Sequence, residues 1–297
     1  MGREVSDEEI RDALWSLKAF KALGSDGPHA GFFQYFWHDV QASVCQEVKK
    51  AFIFGSIPAF LNTTLITLIP KSNNLVSMAN FRPINLCNSV YKIISKVLIA
   101  KIRPLLNNLI SPIQTTFVPG RRGVDNVVIA QELPYTMDRM KGREGYIVVK
   151  VDLEKAYDRL EWSFIHKVLQ AFRFPDNIIK LIISCISTSS LSVLVNGCAL
   201  DPFSPSKGIR QGDPLSPYLF ILCMEYLGFL IEEKCSNSSW CSLKASCGNI
   251  KISNIFFADD LILFAKATNE IGDVILEVLQ DFYLESGQKI SCAKSRI

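Results

Sequence analysis

Asp259 and Asp260 are adjacent carboxylates inside an apolar run, with Ile255-Phe256-Phe257-Ala258 before them and Leu261-Ile262-Leu263-Phe264 after them. Two strand-like segments meeting at two acids read as a tight hairpin with the acids at its tip. Like charges held so close to apolar text are costly unless a cation neutralises them. A hard divalent ion does this, and Mg²⁺ favours one or two carboxylates together with phosphate oxygens of a substrate. A solvated acidic turn has the same composition, because Asp is common in turns. A third carboxylate separates the two readings. Asp152 follows Tyr146-Ile147-Val148-Val149-Lys150-Val151, a β-branched run with the makeup of a buried strand. An acid ending a core strand is placed to meet hairpin acids on a neighbouring strand. Three converging carboxylates would hold two metals about 3.5–4 Å apart, one activating an attacking oxygen and the other stabilising a leaving one.

The elements that must position these acids are legible in outline. Ser6 with Glu9 forms a capping box for a first helix. The loop Gly24-Ser25-Asp26-Gly27-Pro28 leads to an aromatic helix from Phe32 toward Ala51, and Leu61 to Pro70 alternates like a strand. Asn85 to Asn107 has the pattern of a long, Lys-rich amphipathic helix, and a helical pattern follows Asp152 through Leu169. Leu191 to Asn196 predicts a strand turning at Asn196-Gly197. Pro214 to Cys235 predicts a long apolar helix packed beneath a sheet. Ile250 to Ala265 holds the acidic hairpin, and Ile271 to Ser286 a last helix.

The net charge is +3, and its distribution is more informative than its size. Residues 1–150 carry 18 Lys+Arg against 12 Asp+Glu, and residues 151–297 carry 14 against 17. Between Val48 and Val124 no acid occurs, while Lys49, Lys50, Lys71, Arg82, Lys92, Lys96, Lys101, Arg103, Arg121 and Arg122 all fall there. A stretch of one sign suits a phosphate backbone, although charge runs also occur as plain solvated faces. The 48% hydrophobic content fits a large α/β core. No apolar run reaches the roughly 18 residues of a membrane span. The nine cysteines, mostly in apolar text, suggest reduced thiols in an intracellular protein.

Three segments together resemble one known family. Asp152-Leu153-Glu154-Lys155-Ala156-Tyr157-Asp158, then Gly208-Ile209-Arg210-Gln211-Gly212-Asp213-Pro214-Leu215-Ser216-Pro217, then Phe257-Ala258-Asp259-Asp260 are similar, in order and spacing, to motifs A, B and C of reverse transcriptases. Phe81-Arg82-Pro83-Ile84-Asn85-Leu86, Tyr91 to Lys96, Phe117 to Arg121 and Ser286-Gly287-Gln288 resemble the non-LTR (LINE-type) retrotransposons, particularly plant members. The resemblance runs from about Gly24 to Lys294.

That resemblance implies an RNA-directed DNA polymerase, a nucleotidyltransferase using RNA template, DNA primer, deoxynucleoside triphosphates and two Mg²⁺ ions, with Mn²⁺ as an alternative. It implies Asp152, Asp259 and Asp260 as metal ligands and Lys294 as a proton donor to pyrophosphate. Tyr157 would exclude a 2′-hydroxyl, Gln211 and Gly212 would touch nucleotide and template, and Arg82 would touch the triphosphate. Without the resemblance, Tyr157 also fits ordinary core, Arg82 a solvated or structural arginine, Lys294 a frayed surface lysine, and Gly208 to Pro217 a turn before a helix, which is compatible with the functional reading. Arg121 and Arg122, after the Pro119-Gly120 turn, are the best candidates for phosphate contact. The implied fold is α+β, the fingers and palm of a right-hand polymerase, with a small antiparallel palm sheet backed by helices. Segments 1–60, 61–145 and 146–297 would be an N-terminal helical extension, fingers and palm of a single domain. The text stops at Ile297 without a thumb, so a truncated, inactive remnant that only binds nucleic acid is the alternative. Copying by this family implies the nucleus and no membrane. Ala22-Leu23-Gly24-Ser25-Asp26-Gly27-Pro28 and Asn254 depart from the family's usual text.

Overall fold

Ser6 opens the first helix with both halves of the capping box in place: its hydroxyl accepts from the Glu9 amide, and the Glu9 carboxylate accepts from the Ser6 amide. The computed structural model describes the whole chain except residues 1, 74–75, 140–144, 245–250 and 258–259. In chain order come α1 (Asp7–Trp15), α2 (Ala30–Tyr35), α3 (Trp37–Phe54), β1 (Thr63–Pro70), β2 (Phe81–Cys87) and α4 (Ser89–Ile102). Next are α5 (Leu106–Leu109), α6 (Gly123–Arg139), β3 (Tyr146–Glu154), α7 (Ala156–Arg159), α8 (Trp162–Ala171) and α9 (Asp176–Ser187). Then follow β4 (Ser190–Val195), β5 (Cys198–Ala199), α10 (Ser216–Ser236), β6 (Leu243–Lys244) and β7 (Lys251–Ile252). The series ends with β8 (Asn254–Phe257), β9 (Asp260–Lys266), α11 (Asn269–Ser286) and β10 (Lys289–Ile290). Helices and small sheets are mixed without a regular βαβ alternation, which makes this an α+β chain.

These elements form two compact units, Met1–Ile102 with Leu169–Ser216 and Arg103–Val168 with Pro217–Ile297. The first unit has a sheet of order β2-β1-β4-β5. β1 pairs antiparallel with β2 and parallel with β4, and β4 turns into β5 through Asn196 and Gly197. Both of those residues have positive φ, 50° and 83°, the conformation for which Asn-Gly is suited in a two-residue hairpin. Asn85 to Cys87 are strand rather than the start of a helix, because β2 completes its ladder with β1 as far as the Thr64–Cys87 pair. α4 is also less amphipathic than its lysines suggest. Tyr91, Ile93, Ile94, Val97, Leu98, Ile99 and Ile102 are all buried, so most of its circumference faces core.

The second unit has an antiparallel sheet of order β10-β3-β9-β8. β3 continues past Asp152 to Glu154, because β10 gives Leu153 and Glu154 ladder partners. Asp152 therefore lies inside the strand, not at its end. α10 buries Leu219, Phe220, Ile221, Leu222, Met224, Leu227 and Ile231, and Gly228 on the same helix faces the Phe256 ring of β8. Phe164 of α8 meets Phe282 of α11 edge to face, with ring centroids 6.0 Å apart. Among the described residues, no helix is long and apolar enough to cross a membrane.

Glu225 on α10 is a buried carboxyl of this unit, accepting a hydrogen bond from the Ser111 amide at 2.9 Å. Burial pushes its pKa from 4.5 up to about 7; the Ser111 amide and the Arg121 charge oppose the shift, and Glu232 adds to it. A carboxyl whose pKa is raised on folding binds more proton in the native than in the unfolded state. Its contribution is therefore favourable at low pH and is lost as pH rises through about 4.5 to 7. Glu225→Gln keeps an acceptor for Ser111 and removes the titration. Its stability relative to wild type should rise across that window by on the order of 1–3 kcal/mol, measured by urea unfolding at pH 5 and pH 8. A difference independent of pH would show that Glu225 titrates normally.

Candidate active site

Asp152 of β3 and Asp260 of β9 are a directly opposed pair in the antiparallel register. Opposed residues put their side chains on the same face of a sheet, so the ladder itself brings the two carboxylates together. Each has one lysine beside it. Lys294 Nζ lies 3.5 Å from Asp152 Oδ1, and Lys150 Nζ lies 3.1 Å from Asp260 Oδ1. Lys150 precedes Asp152 by two residues and so shares its face of β3. Asp152 Oδ1 is buried and accepts no hydrogen bond. A buried carboxylate oxygen that accepts no hydrogen bond, has an ammonium 3.5 Å away and stands opposite a second carboxylate belongs to a donor set that fits a hard divalent cation. Asp259, the third expected ligand, lies outside the described residues.

Lys294 reaches this site because its turn is stitched to β3. The Ser291 amide donates to the Asp152 carbonyl at 2.8 Å, and Lys150 and Arg296 exchange backbone hydrogen bonds at 2.8 and 3.0 Å. The Asp152 amide donates to Ser295 Oγ at 3.2 Å.

Tyr157 is on α7, entered through Lys155 in the left-handed region at φ 50°. Its half-buried ring stacks on Phe220 of α10, centroids 5.2 Å apart and planes 12° from parallel. The Ser286-Gly287-Gln288 segment holds α7 from behind. Gln288 Nε2 donates to the Ala156 carbonyl at 2.6 Å, and the Glu161 amide donates to the Ser286 carbonyl at 3.0 Å. Gly287 closes α11 at φ 75°, and a Cβ there would lie 2.7 Å from the Arg159 carbonyl oxygen. Only glycine fits that approach.

The first unit holds the Gln211–Gly212 turn, anchored by a buried ion pair. Arg210 and Asp213 are both buried, and Arg210 Nη2 lies 3.0 Å from Asp213 Oδ2. Arg210 Nη1 donates to Asn62 Oδ1 and Thr64 Oγ1 at 2.8 and 2.9 Å, and its Nη2 also donates to the Cys185 carbonyl. Its guanidinium stacks 4.2 Å from the centroid of the Tyr91 ring, whose hydroxyl donates to Asp213. Ser95 Oγ and the Leu215 amide donate to the other Asp213 oxygen. Arg82 is exposed on β2.

Arg121 and Arg122 differ in their surroundings. Arg121 donates to the carbonyls of Ile110, Ser111 and Gln114, so its fork closes a loop of its own unit, while Arg122 is exposed. The acid-free span is likewise less one-signed in space than in sequence. Asp7 and Glu9 of α1 fold onto Lys49 and Lys101, at 2.7 and 3.2 Å, and Glu47 pairs with Lys50 at 2.8 Å.

Lys150, Gln288, Arg210 and Asp213 were not singled out individually in the sequence. Local signals exist for three of them: the period-two spacing of Lys150 from Asp152, and the charge of Arg210 and Asp213 on either side of Gln211-Gly212.

A family model described as reverse transcriptase (RNA-dependent DNA polymerase) matches residues 69–297. A Transposon TX1 uncharacterized 149 kDa protein from Xenopus laevis is 28% identical over 262 residues, 88% of this chain and 20% of that protein. A Retrovirus-related Pol polyprotein from type-1 retrotransposable element R2 of Popillia japonica is 27% identical over 305 residues, 99% of this chain and 39% of that protein. The corresponding Pol polyprotein from type-2 element R2DM of Drosophila melanogaster is 25% identical over 291 residues, 98% of this chain and 26% of that protein. The chain thus spans well under half the length of these relatives. With the opposed carboxylates on adjacent strands and the family match over most of its length, the chain belongs to the reverse transcriptase family, as a domain similar to those of non-LTR retrotransposon Pol proteins.

Proposed function

We propose that this domain adds deoxynucleotides to a primer 3′-hydroxyl on an RNA template, as the fingers and palm of a right-hand polymerase. Segment 61–145 is read as fingers, 146–297 as palm, and 1–60 as a helical extension. The observation that carries the proposal is the opposed Asp152–Asp260 pair, with a buried Asp152 oxygen that accepts no hydrogen bond. Asp152 and Asp260, with Asp259, would hold divalent metal, Mg²⁺ by the hardness of the donors. Bound there, the metal supplies Lewis-acid stabilisation of charge developing on the triphosphate and the attacking hydroxyl. Arg82 grips the triphosphate, and Gln211 with Gly212 lines the nucleotide and template. Lys294, whose Nζ lies 3.5 Å from Asp152, would protonate the leaving pyrophosphate. Arg122 is the phosphate-contacting member of the Arg121–Arg122 pair, and Arg121 shapes its loop. RNA template, DNA primer and nuclear location belong to the same proposal.

Primer extension on an RNA template with Mg²⁺ tests the reading directly. Asp152→Asn should lower extension at least about a thousandfold, since several kcal/mol of charge stabilisation are lost at about 1.4 kcal/mol per decade. Equal rates for a folded Asp152→Asn and wild type would remove the assignment.

Tyr157 tests separately. A ring under the sugar rejects a 2′-hydroxyl by steric clash, so Tyr157→Ala should reduce discrimination against ribonucleotides by at least about tenfold, or about 1.4 kcal/mol. Competition between the two nucleotide classes measures this, and unchanged selectivity would leave Tyr157 as packing for Phe220.

For Arg122, RNA affinity across a salt series should fall with a log–log slope of about −0.7 per phosphate contacted. Arg122→Ala should make that slope shallower by about one contact, whereas an identical slope would place Arg122 away from the backbone.

A further inference from the structure

One residue outside the motif holds the centre of the Gln211–Gly212 turn. The Gln211 carbonyl accepts two hydrogen bonds from Asn85, one from its backbone N at 2.8 Å and one from its side-chain Nδ2 at 3.1 Å. Gly212 adopts φ 108°, and a Cβ there would come 2.9 Å from the Asn85 carbonyl oxygen. Asn85 therefore meets the turn with its amide, its side chain and its carbonyl at once. It is buried on β2, three residues beyond Arg82.

The division of labour around the turn is informative. Arg210 and Asp213 are tied into the core on either side by the network of Asn62, Thr64, Tyr91, Ser95 and Cys185. Those bonds secure the ends of the turn. They do not set the height or tilt of the Gln211–Gly212 peptide between them, which only the Asn85 contacts reach among the described hydrogen bonds. Asparagine suits the task because its Nδ2 is a donor aimed at a carbonyl. Aspartate has the same shape but would turn a second acceptor toward that carbonyl. Alanine would keep only the backbone bond.

We infer that Asn85 is a positioning residue for the nucleotide: it fixes the Gln211–Gly212 peptide in register with the strand that carries Arg82. This rests on the proposed polymerase reading for what is bound, but the clamp itself does not. A nucleotide touching Arg82 and the turn then meets them at one fixed spacing, set by Asn85 rather than by either contacting residue.

The test uses the full chain with Asn85→Ala and Asn85→Asp, each compared with wild type in two independent readouts. The first is amide hydrogen exchange in peptides covering 82–87 and 209–213, measured without nucleotide. Exchange should accelerate about two- to tenfold in Asn85→Ala, the size of one lost hydrogen bond, and more in Asn85→Asp, with protection of α4 unchanged. The second is steady-state primer extension. KM for the deoxynucleotide should rise about two- to tenfold in Asn85→Ala, while kcat stays within about twofold. A general loss of structure would instead speed exchange throughout the first unit and lower kcat with it, which would overturn the inference. Unchanged exchange at 209–213 overturns the clamp. Faster exchange there with unchanged KM overturns its part in nucleotide binding. A wild type that extends no primer counts against the polymerase reading, and the exchange result alone then decides the clamp.

Discussion

The register between β3 and β9 is the constraint on which the carboxylate site depends. Val151 and Leu153 on β3, and Leu261, Leu263 and Ala265 on β9, are buried, so the odd-numbered positions of both strands face core. Strand geometry then sends the even-numbered positions to the opposite face. Asp152 and Asp260 are both even, and the ladder sets them directly opposite each other. A slip of one residue would put a carboxylate into the core and an apolar side chain in its place, at a cost far above the worth of any single hydrogen bond. The acids are placed by what surrounds them in the strand. The same even face is covered at its other end, where Phe264 packs with Leu133, Leu243, Ile252 and Ile255. It opens toward the acids, whose side chains are 27% and 46% exposed.

Two carboxylates so placed repel each other, and the fold answers with Lys150 and Lys294 rather than with a buried network. Both lysines are more than half exposed, so these pairs contribute little stability, about 0–1 kcal/mol each. That weakness is compatible with the proposed metal site. A pair that holds the acids loosely does not compete strongly with a divalent ion, whose attraction for two carboxylates is much larger. The Arg210–Asp213 pair is the contrasting case. It is buried and held by several named donors and acceptors, which specifies one geometry for its turn and makes the loss of either partner expensive.

The motif residues divide accordingly into those proposed to face a substrate and those that hold them. Gly287 and Gln288 belong to the second kind. They close α11 against α7 and so place the helix that carries Tyr157. Arg121 belongs there too, its guanidinium spent on three carbonyls. A basic residue next to a Pro-Gly turn looks like a phosphate ligand in sequence, because sequence does not show which carbonyls will come within its reach.

By itself the sequence determined the existence and type of most elements. The capping box at Ser6, the alternation before Pro70, the Asn196-Gly197 turn and the apolar run after Pro214 are local signals, and each became the element it indicated. It also pointed to Asp152 and the acids at 259 and 260 as candidate site residues, because charge inside apolar strands is costly. Tertiary structure decided the rest, for reasons that are non-local. Asn85 to Cys87 are strand because β1 offers a ladder, overriding a helical pattern. α6 and α9 do not stand out as separate helices in the sequence, since their apolar residues take on meaning only against the surfaces they cover. Lys49 and Lys101 are neutralised by Asp7 and Glu9 of α1, far from them in the chain. The opposition of Asp152 and Asp260 is set by strand pairing across more than a hundred residues, and no local pattern contains a register.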